Sequence, residues 1–153
     1  MTTFRYRVSS LVFLIILVSS CERSNKKKSL QGEDLRKHQG IIVLLTESKD
    51  ALDIGNFELA LALVDSAFQY VNDMAEIFFL QGRIYEKINR NEESIKAYQK
   101  SLEINPGYRG ANFNMGNIAY KEGRFRSSLI HYKNEIKLGP RADVYFNMAH
   151  AYA

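Results

Sequence analysis

A single cysteine, Cys21, stands in the 153 residues, so no intramolecular disulfide can form and no second thiolate exists for a zinc site. The three histidines, His38, His131 and His150, lie in no HExxH run. No Gly-rich stretch ending in Gly-Lys-Ser or Gly-Lys-Thr is present to cradle a phosphate. Ser127-Ser128 lies outside any GxSxG pattern. Glu92 and Glu93 are neighbours in a helical pattern, so they diverge by about 100° and cannot act as an acid–base pair. His131 and Glu135 are four apart, a spacing found in metal and acid–base pairs, but we read them as a solvated helix pair. These absences predict a protein that is not an enzyme and has neither catalytic residues, metal nor cofactor.

The charge balance excludes a second class. A formal net charge of +4 and a pI near 9.1 suggest nucleic acid at first sight. The excess is local: Arg5 and Arg7 precede an apolar run, and Lys26-Lys27-Lys28 form one cluster. No stripe of Lys and Arg interleaved with base-stacking aromatics follows, so no nucleic-acid partner is expected. With 46% hydrophobic and 25% charged residues, the chain has material for one core plus a short extra segment.

That extra segment is amino-terminal. Arg5 and Arg7 open it, and the apolar run Leu11 to Val18 is too short to span a bilayer. Val18-Ser19-Ser20-Cys21 then puts an aliphatic residue and two small ones before the cysteine. The run is similar to the lipobox of bacterial lipoproteins. The resemblance implies a signal peptide over residues 1–20, cleavage before Cys21, and diacylglycerol on its thiol. It also implies a bacterial cell-envelope location with Cys21 in the membrane. Glu22 rather than Asp follows, which leans toward the outer membrane over the inner. Residues 21–33 hold the anchor cysteine and a polar stretch with one apolar residue, read as a flexible tether.

From residue 34 onward the pattern changes. The stretch Ala75 to Tyr108 carries two helical patterns that meet at Asn89-Arg90-Asn91 and stop at Pro106-Gly107. The unit repeats. Gly55, Asn89 and Gly123 stand at successive elbows, each 34 residues after the last. Ser48, Gly82 and Gly116 keep the same step on the first helices, and Ala60, Ser94 and Ser128 keep it on the second. Asn72, Pro106 and Pro140 mark the stops. Ala67 and Ser101 form a further series that Glu135 breaks. Gly82 and Gly116 are expected where paired helices come closest, and Gly55 and Gly123 at left-handed helix ends.

Helices are expected from Asp34 or Gly40 to the first elbow, over Phe57 to Val71, Tyr108 to Glu122 and Phe125 to Leu138, and from Asp143 onward. Asp73 and Asn91 are the expected caps of the third and fourth helices.

A 34-residue helix-turn-helix period resembles the tetratricopeptide repeat. The family's tryptophan is absent, with Leu44, Phe78, Asn112 and Tyr145 in its place. The resemblance implies an all-α fold, a right-handed α-solenoid of tetratricopeptide-like helix-turn-helix repeats over residues 34–153. The repeats fall at about 41–74, 75–108 and 109–141, with a partial one at 142–153. That partial unit holds only a first helix, which leaves either a shortened sequence or an end that a partner covers.

In this family the first helices line a concave groove. The positions of this sequence that match it are Leu45, Phe79, Phe113 and Phe146 as an apolar row. Lys49, Arg83, Asn117 and His150 lie beside it, then Leu52, Glu86 and Tyr120, then Asp53, Lys87 and Lys121. Asn114 and Asn147 match the asparagine that bonds a bound peptide's backbone. The carboxylate-clamp members have Lys where Leu45 and Phe79 stand, so binding of a chaperone tail is not implied.

The resemblance implies an adaptor or scaffold that holds a protein or peptide segment of an envelope assembly. The alternative is a structural or accessory subunit that self-associates through its solenoid ends.

Overall fold

The computed structural model describes residues 33–152. The expected signal peptide, Cys21 and most of the tether lie outside the described residues. The chain divides into two compact units, Met1–Gly40 and Ile41–Ala153. Among the described residues there are seven helices and no strand. They are α1 (residues 33–53), α2 (Phe57–Tyr70), α3 (Ala75–Lys87), α4 (Asn91–Ile104), α5 (Ala111–Lys121), α6 (Phe125–Ile136) and α7 (Ala142–Tyr152). None is long and apolar enough to cross a membrane.

Within the second unit the helices pair as the spacing predicts. α3 packs on α4, α5 on α6, and each new pair docks on the last through α2–α3, α4–α5 and α6–α7. The first helices also touch one another, α3 with α5 and α5 with α7, whereas α2, α4 and α6 do not. The first helices therefore line the inner, concave side and the second helices splay outward.

The small residues explain the close pairing. A Cβ built on Gly82 would stand 2.6 Å from Cδ1 and Cε1 of Tyr98, and one on Gly116 would stand 2.5 Å from Cε1 of Tyr132. No real side chain tolerates that distance, so each tyrosine ring lies flat against the glycine backbone. Ala60, Ser94 and Ser128 are fully buried on the facing helices. The Ser94 hydroxyl donates to the Gly82 carbonyl at 2.8 Å. In the preceding pair the roles are exchanged, and Ser48 donates to the Ala60 carbonyl at 2.9 Å. Each such bond contributes a net ~0.5–1.5 kcal/mol and fixes the axial register of a pair.

The elbows follow from backbone sterics. Gly55 and Gly123 have φ of +80° and +73°, and Asn89 reaches +62°, in the left-handed region that Asn tolerates best after Gly.

The core runs through the stack. Ile41, Leu45 and Leu52 of α1 meet Ala60, Val64 and Ala67 of α2 and Ile77, Leu80 and Ile84 of α3. A second cluster joins Tyr98 to Ala111, Met115 and Ile118, with Phe79 and Leu102 against it.

Several helix ends differ from expectation. α1 passes through Gly40 without a break. Asp73 is not a cap: Met74 holds that position in extended conformation. Asn91 is the first residue of α4, not its cap. Arg90 holds the cap position without a side-chain capping bond and donates to the Glu93 carboxylate at 2.6 and 2.9 Å, while the Asn91 amide donates to Glu122 at 2.9 Å. α5 begins at Ala111 rather than Tyr108, because Tyr108 is drawn into a ring contact with Phe79 at 5.0 Å and Gly110 turns the chain at φ +93°. α6 stops at Ile136, two residues early, where Leu138 and Gly139 close turns onto Glu135 and Ile136.

Glu135 is the largest departure. It was expected to be solvated beside His131 and is instead 0% exposed. It takes the position that Ala67 and Ser101 hold in earlier repeats, both also buried. Its Oε1 accepts from the Gly110 amide at 2.8 Å and from Arg141 at 3.1 Å, which ties the starts of α5 and α7 to the end of α6. Its Oε2 has no partner among the described residues. Arg141 is the reason a carboxylate survives there: a buried charge needs a countercharge and hydrogen bonds.

Candidate functional site: the concave face

The inner helices α3, α5 and α7 carry the groove positions expected from the sequence. A cleft of about 510 Å³ opens among Asn117, Tyr120 and Lys121 of α5, Tyr132 of α6, and Asn147 and His150 of α7. Asn117, Tyr120, Lys121 and Asn147 were expected there as binding residues. Tyr132 was not, because it belongs to an outer helix. Gly116 is what admits it: with no Cβ in the way, the ring crosses α5 and its hydroxyl reaches the concave side.

The cleft is organised by one oxygen. Asn117 Oδ1 accepts from the Tyr132 hydroxyl at 2.8 Å and from the Asn147 amide at 2.9 Å. With that oxygen occupied, the Asn117 amide and the Asn147 carbonyl oxygen are left to face a ligand. Together they form one donor and one acceptor, the complement of a peptide unit. Burial raises the Tyr132 hydroxyl pKa, so it stays protonated and donates.

The pair before it repeats the device. Tyr98 lies across Gly82, and its hydroxyl accepts from the Asn114 amide at 3.1 Å and donates to Glu86 at 3.3 Å. Burial, with the Glu86 charge beside it, pushes this phenol far above its ordinary pKa. Asn114 thus has one amide N–H engaged, and its second N–H and its carbonyl oxygen are left for a ligand.

The other expected groove residues are more occupied than their spacing suggests. Leu45 and Leu52 are buried in the core and line no groove. Phe79 is half-buried, packed between Tyr98 at 5.6 Å and Tyr108 at 5.0 Å. Phe113 lies against Tyr132, with the Arg141 guanidinium 4.7 Å from its ring centroid. Phe146 is 64% exposed and touches His150 edge-on at 4.5 Å, so it is the freest aromatic of the row. Tyr120 packs edge-on to Phe125 at 5.4 Å.

Charge on this face is largely paired between neighbouring first helices. Lys49 pairs with Glu76, Arg83 with Asp53 at 3.7 Å, and Lys121 with Glu86 at 3.0 Å. Lys87 is exposed and forms no ion pair among the described residues. Arg83, Lys87 and Phe79 all lie on α3 and do not line the cleft.

Comparison with known proteins agrees with this geometry. The family model of the tetratricopeptide repeat matches residues 45–109. The chain is 28% identical to human tetratricopeptide repeat protein 6 over 89 residues, 58% of this chain and 17% of that protein. It is 31% identical to a TPR repeat-containing protein of Methanocaldococcus jannaschii over 74 residues, 48% of this chain and 23% of that protein. It therefore spans less than a quarter of the length of either relative.

Among solved structures, MamA superposes with a TM-score of 0.66 at 22% identity, over 73% of this chain and 66% of that one. The TPR domain of Arabidopsis OM64 superposes with a TM-score of 0.71 at 10% identity, over 76% of this chain and 97% of that one. The second TPR domain of human RPAP3, solved with an HSP70 peptide, superposes at 0.68 with 15% identity, over 76% and 98%. Residues 45–109 match the tetratricopeptide-repeat family, and the all-α fold of the described residues is that of tetratricopeptide-repeat domains.

Proposed function

We propose that this protein is a lipid-anchored adaptor of the bacterial cell envelope whose concave face holds a segment of another protein. Tetratricopeptide domains of this fold bind peptides: both RPAP3 domains were solved with one, from HSP70 and from HSP90. The observation that carries the reading here is the cleft between α5 and α7. Its free amide on Asn117 and free carbonyl on Asn147 suit a peptide backbone, and Phe146 offers exposed apolar area beside it.

The partner differs from a chaperone tail. Leu45 and Phe79 stand where the clamp lysines would, and the internal pairing of Lys49, Arg83 and Lys121 leaves little free positive charge for a terminal carboxylate. A segment with an aromatic side chain and few acids suits the face better. Anchoring through a lipidated Cys21 rests on the Val18-Ser19-Ser20-Cys21 run, and the lean to the outer membrane rests on Glu22 after it.

Affinity capture from detergent-solubilised membranes tests the groove. Phe146→Ala removes exposed area without touching the core, and it should weaken a captured partner roughly tenfold. Lys87→Glu should weaken it by less and reduce its salt dependence. Equal capture by wild type and the Phe146→Ala, Lys87→Glu double variant places the partner elsewhere.

A further inference from the structure

The outer helices carry a charge contrast that the groove does not use. Glu58 of α2, Glu92 of α4 and Arg126 of α6 occupy equivalent positions, 34 residues apart, and all three are exposed. The next exposed outward positions run Asp65, Gln99, Lys133 and Gln69, Glu103, Lys137 in the same order. At these positions the outward face is acidic on α2 and on α4 and wholly basic at α6.

Within α6 no acid interrupts the basic face, because its one carboxylate, Glu135, is turned into the core; Glu122, just before the helix, pairs with Arg124. Arg126, Lys133 and Lys137 form no ion pair among the described residues; Lys137 donates to Asn134 and Lys133 stands 5.8 Å from the Tyr152 ring centroid. Two large apolar side chains stand among these cations. Phe125 is 49% exposed and Ile130 is 56% exposed. A shallow recess of about 510 Å³ runs between them, bounded by Arg124 and Arg126. The outer helix α2 also exposes Leu59 and Tyr70, but it carries no cation; among the outer helices only α6 sets exposed large apolar side chains among cations.

We propose that the outward face of α6 rests on an anionic lipid bilayer, with Arg126, Lys133 and Lys137 at the headgroup phosphates and Phe125 and Ile130 in the acyl boundary. Mixed cations and apolar side chains on one helix face are the pattern of interfacial helices. Anionic headgroups complement three exposed cations that no carboxylate among the described residues engages. A second copy offering its acidic α2 is the competing occupant, and the test separates the two. The arrangement also has a consequence for the groove: with α6 on the lipid, the α5–α7 cleft opens away from the membrane. The inference does not depend on the groove having a partner.

The test uses the full chain with Cys21→Ser, so that an environment-sensitive dye can be placed at Ile130→Cys, or at Lys96→Cys on α4. Vesicles of phosphatidylcholine with and without phosphatidylglycerol are added. Dye at position 130 should shift to the blue on the anionic vesicles and not on the neutral ones, and dye at 96 should shift on neither. Reversing Arg126, Lys133 and Lys137 to Glu should raise the lipid needed for the shift roughly a hundredfold. Circular dichroism of that variant separates lost binding from lost fold.

Equal shifts at 96 and 130, a shift on neutral vesicles, or no effect of charge reversal would overturn the proposal. So would a shift at 130 produced without lipid by polyglutamate or by unlabelled protein, which would assign the face to an acidic polypeptide or to a second copy. Because the dye reports position 130 alone, binding by the amino-terminal segment cannot imitate the result.

Discussion

Replacing Gly82 by alanine sets two opposed effects against each other, and the structure decides the sign. In an open helix the change is favourable by about 0.4–1 kcal/mol, because alanine restricts the unfolded chain and suits the helix. At Gly82 the new methyl would stand 2.6 Å from two ring carbons of Tyr98 and 3.0 Å from a third. The ring cannot step aside: Tyr98 is fully buried and its hydroxyl is held between Asn114 and Glu86. Overpacking of this kind costs ~1–3 kcal/mol, and displacing the hydroxyl adds ~0.5–1.5 kcal/mol for each bond lost.

The net expectation for Gly82→Ala is a loss of ~1–3 kcal/mol, read by urea unfolding followed by circular dichroism. Gly40→Ala is the internal control. It is also helical, but nothing lies within 4 Å of its Cβ position, so it should gain ~0.4–1 kcal/mol. A Gly82→Ala protein as stable as wild type, or more stable, would refute the packing argument, since the two variants differ only in what the methyl meets.

Further outcomes follow from other contacts. Arg141→Ala leaves the buried Glu135 carboxylate with only the Gly110 amide, and it should cost ~2–3 kcal/mol in the same unfolding assay, below the ~3–5 of wholly buried pairs because Arg141 is itself partly exposed. If Arg141→Ala costs no more in the wild type than in a Glu135→Gln background, the two are uncoupled and the pair is not what holds α7. Burial lowers the His131 pKa in the folded state, so its stabilisation is full above the unfolded value near 6.5 and is lost as pH falls through the lower folded value. Stability should therefore decline on acidification below ~6.5, and His131→Gln should flatten that part of the profile in thermal melts. Cys21→Ala should leave the amino-terminal segment uncleaved or release the protein from membranes; mass spectrometry of the wild type that finds an intact amino terminus would remove the anchor from the account.

The sequence by itself determined the architecture, because its marks are local and steric. Gly82 and Gly116 signal close helix approach wherever the rest of the chain lies, and Gly55, Asn89 and Gly123 signal left-handed ends from backbone geometry alone. A 34-residue repetition of such marks leaves a stack of helix pairs as the way to bury the apolar stripes. Two of the misplaced ends, at Asn91 and Tyr108, are those where a distant side chain decided: Asn91 turned to Glu122 and Tyr108 to Phe79.

The concave face was legible by position and not by state. The resemblance to the tetratricopeptide repeat implied that Asn117, Tyr120, Lys121 and Asn147 lie on the inner helices. Only the folded chain shows that Lys121 and Arg83 are engaged by carboxylates about 30 residues away, that Leu45 and Leu52 belong to the core, and that Tyr132 reaches in from an outer helix. Glu135 makes the same point most sharply. Helical spacing says which residues share a face, but whether a carboxylate turns to water or inward depends on an amide and a guanidinium from two other segments, and those meet it only in the tertiary structure.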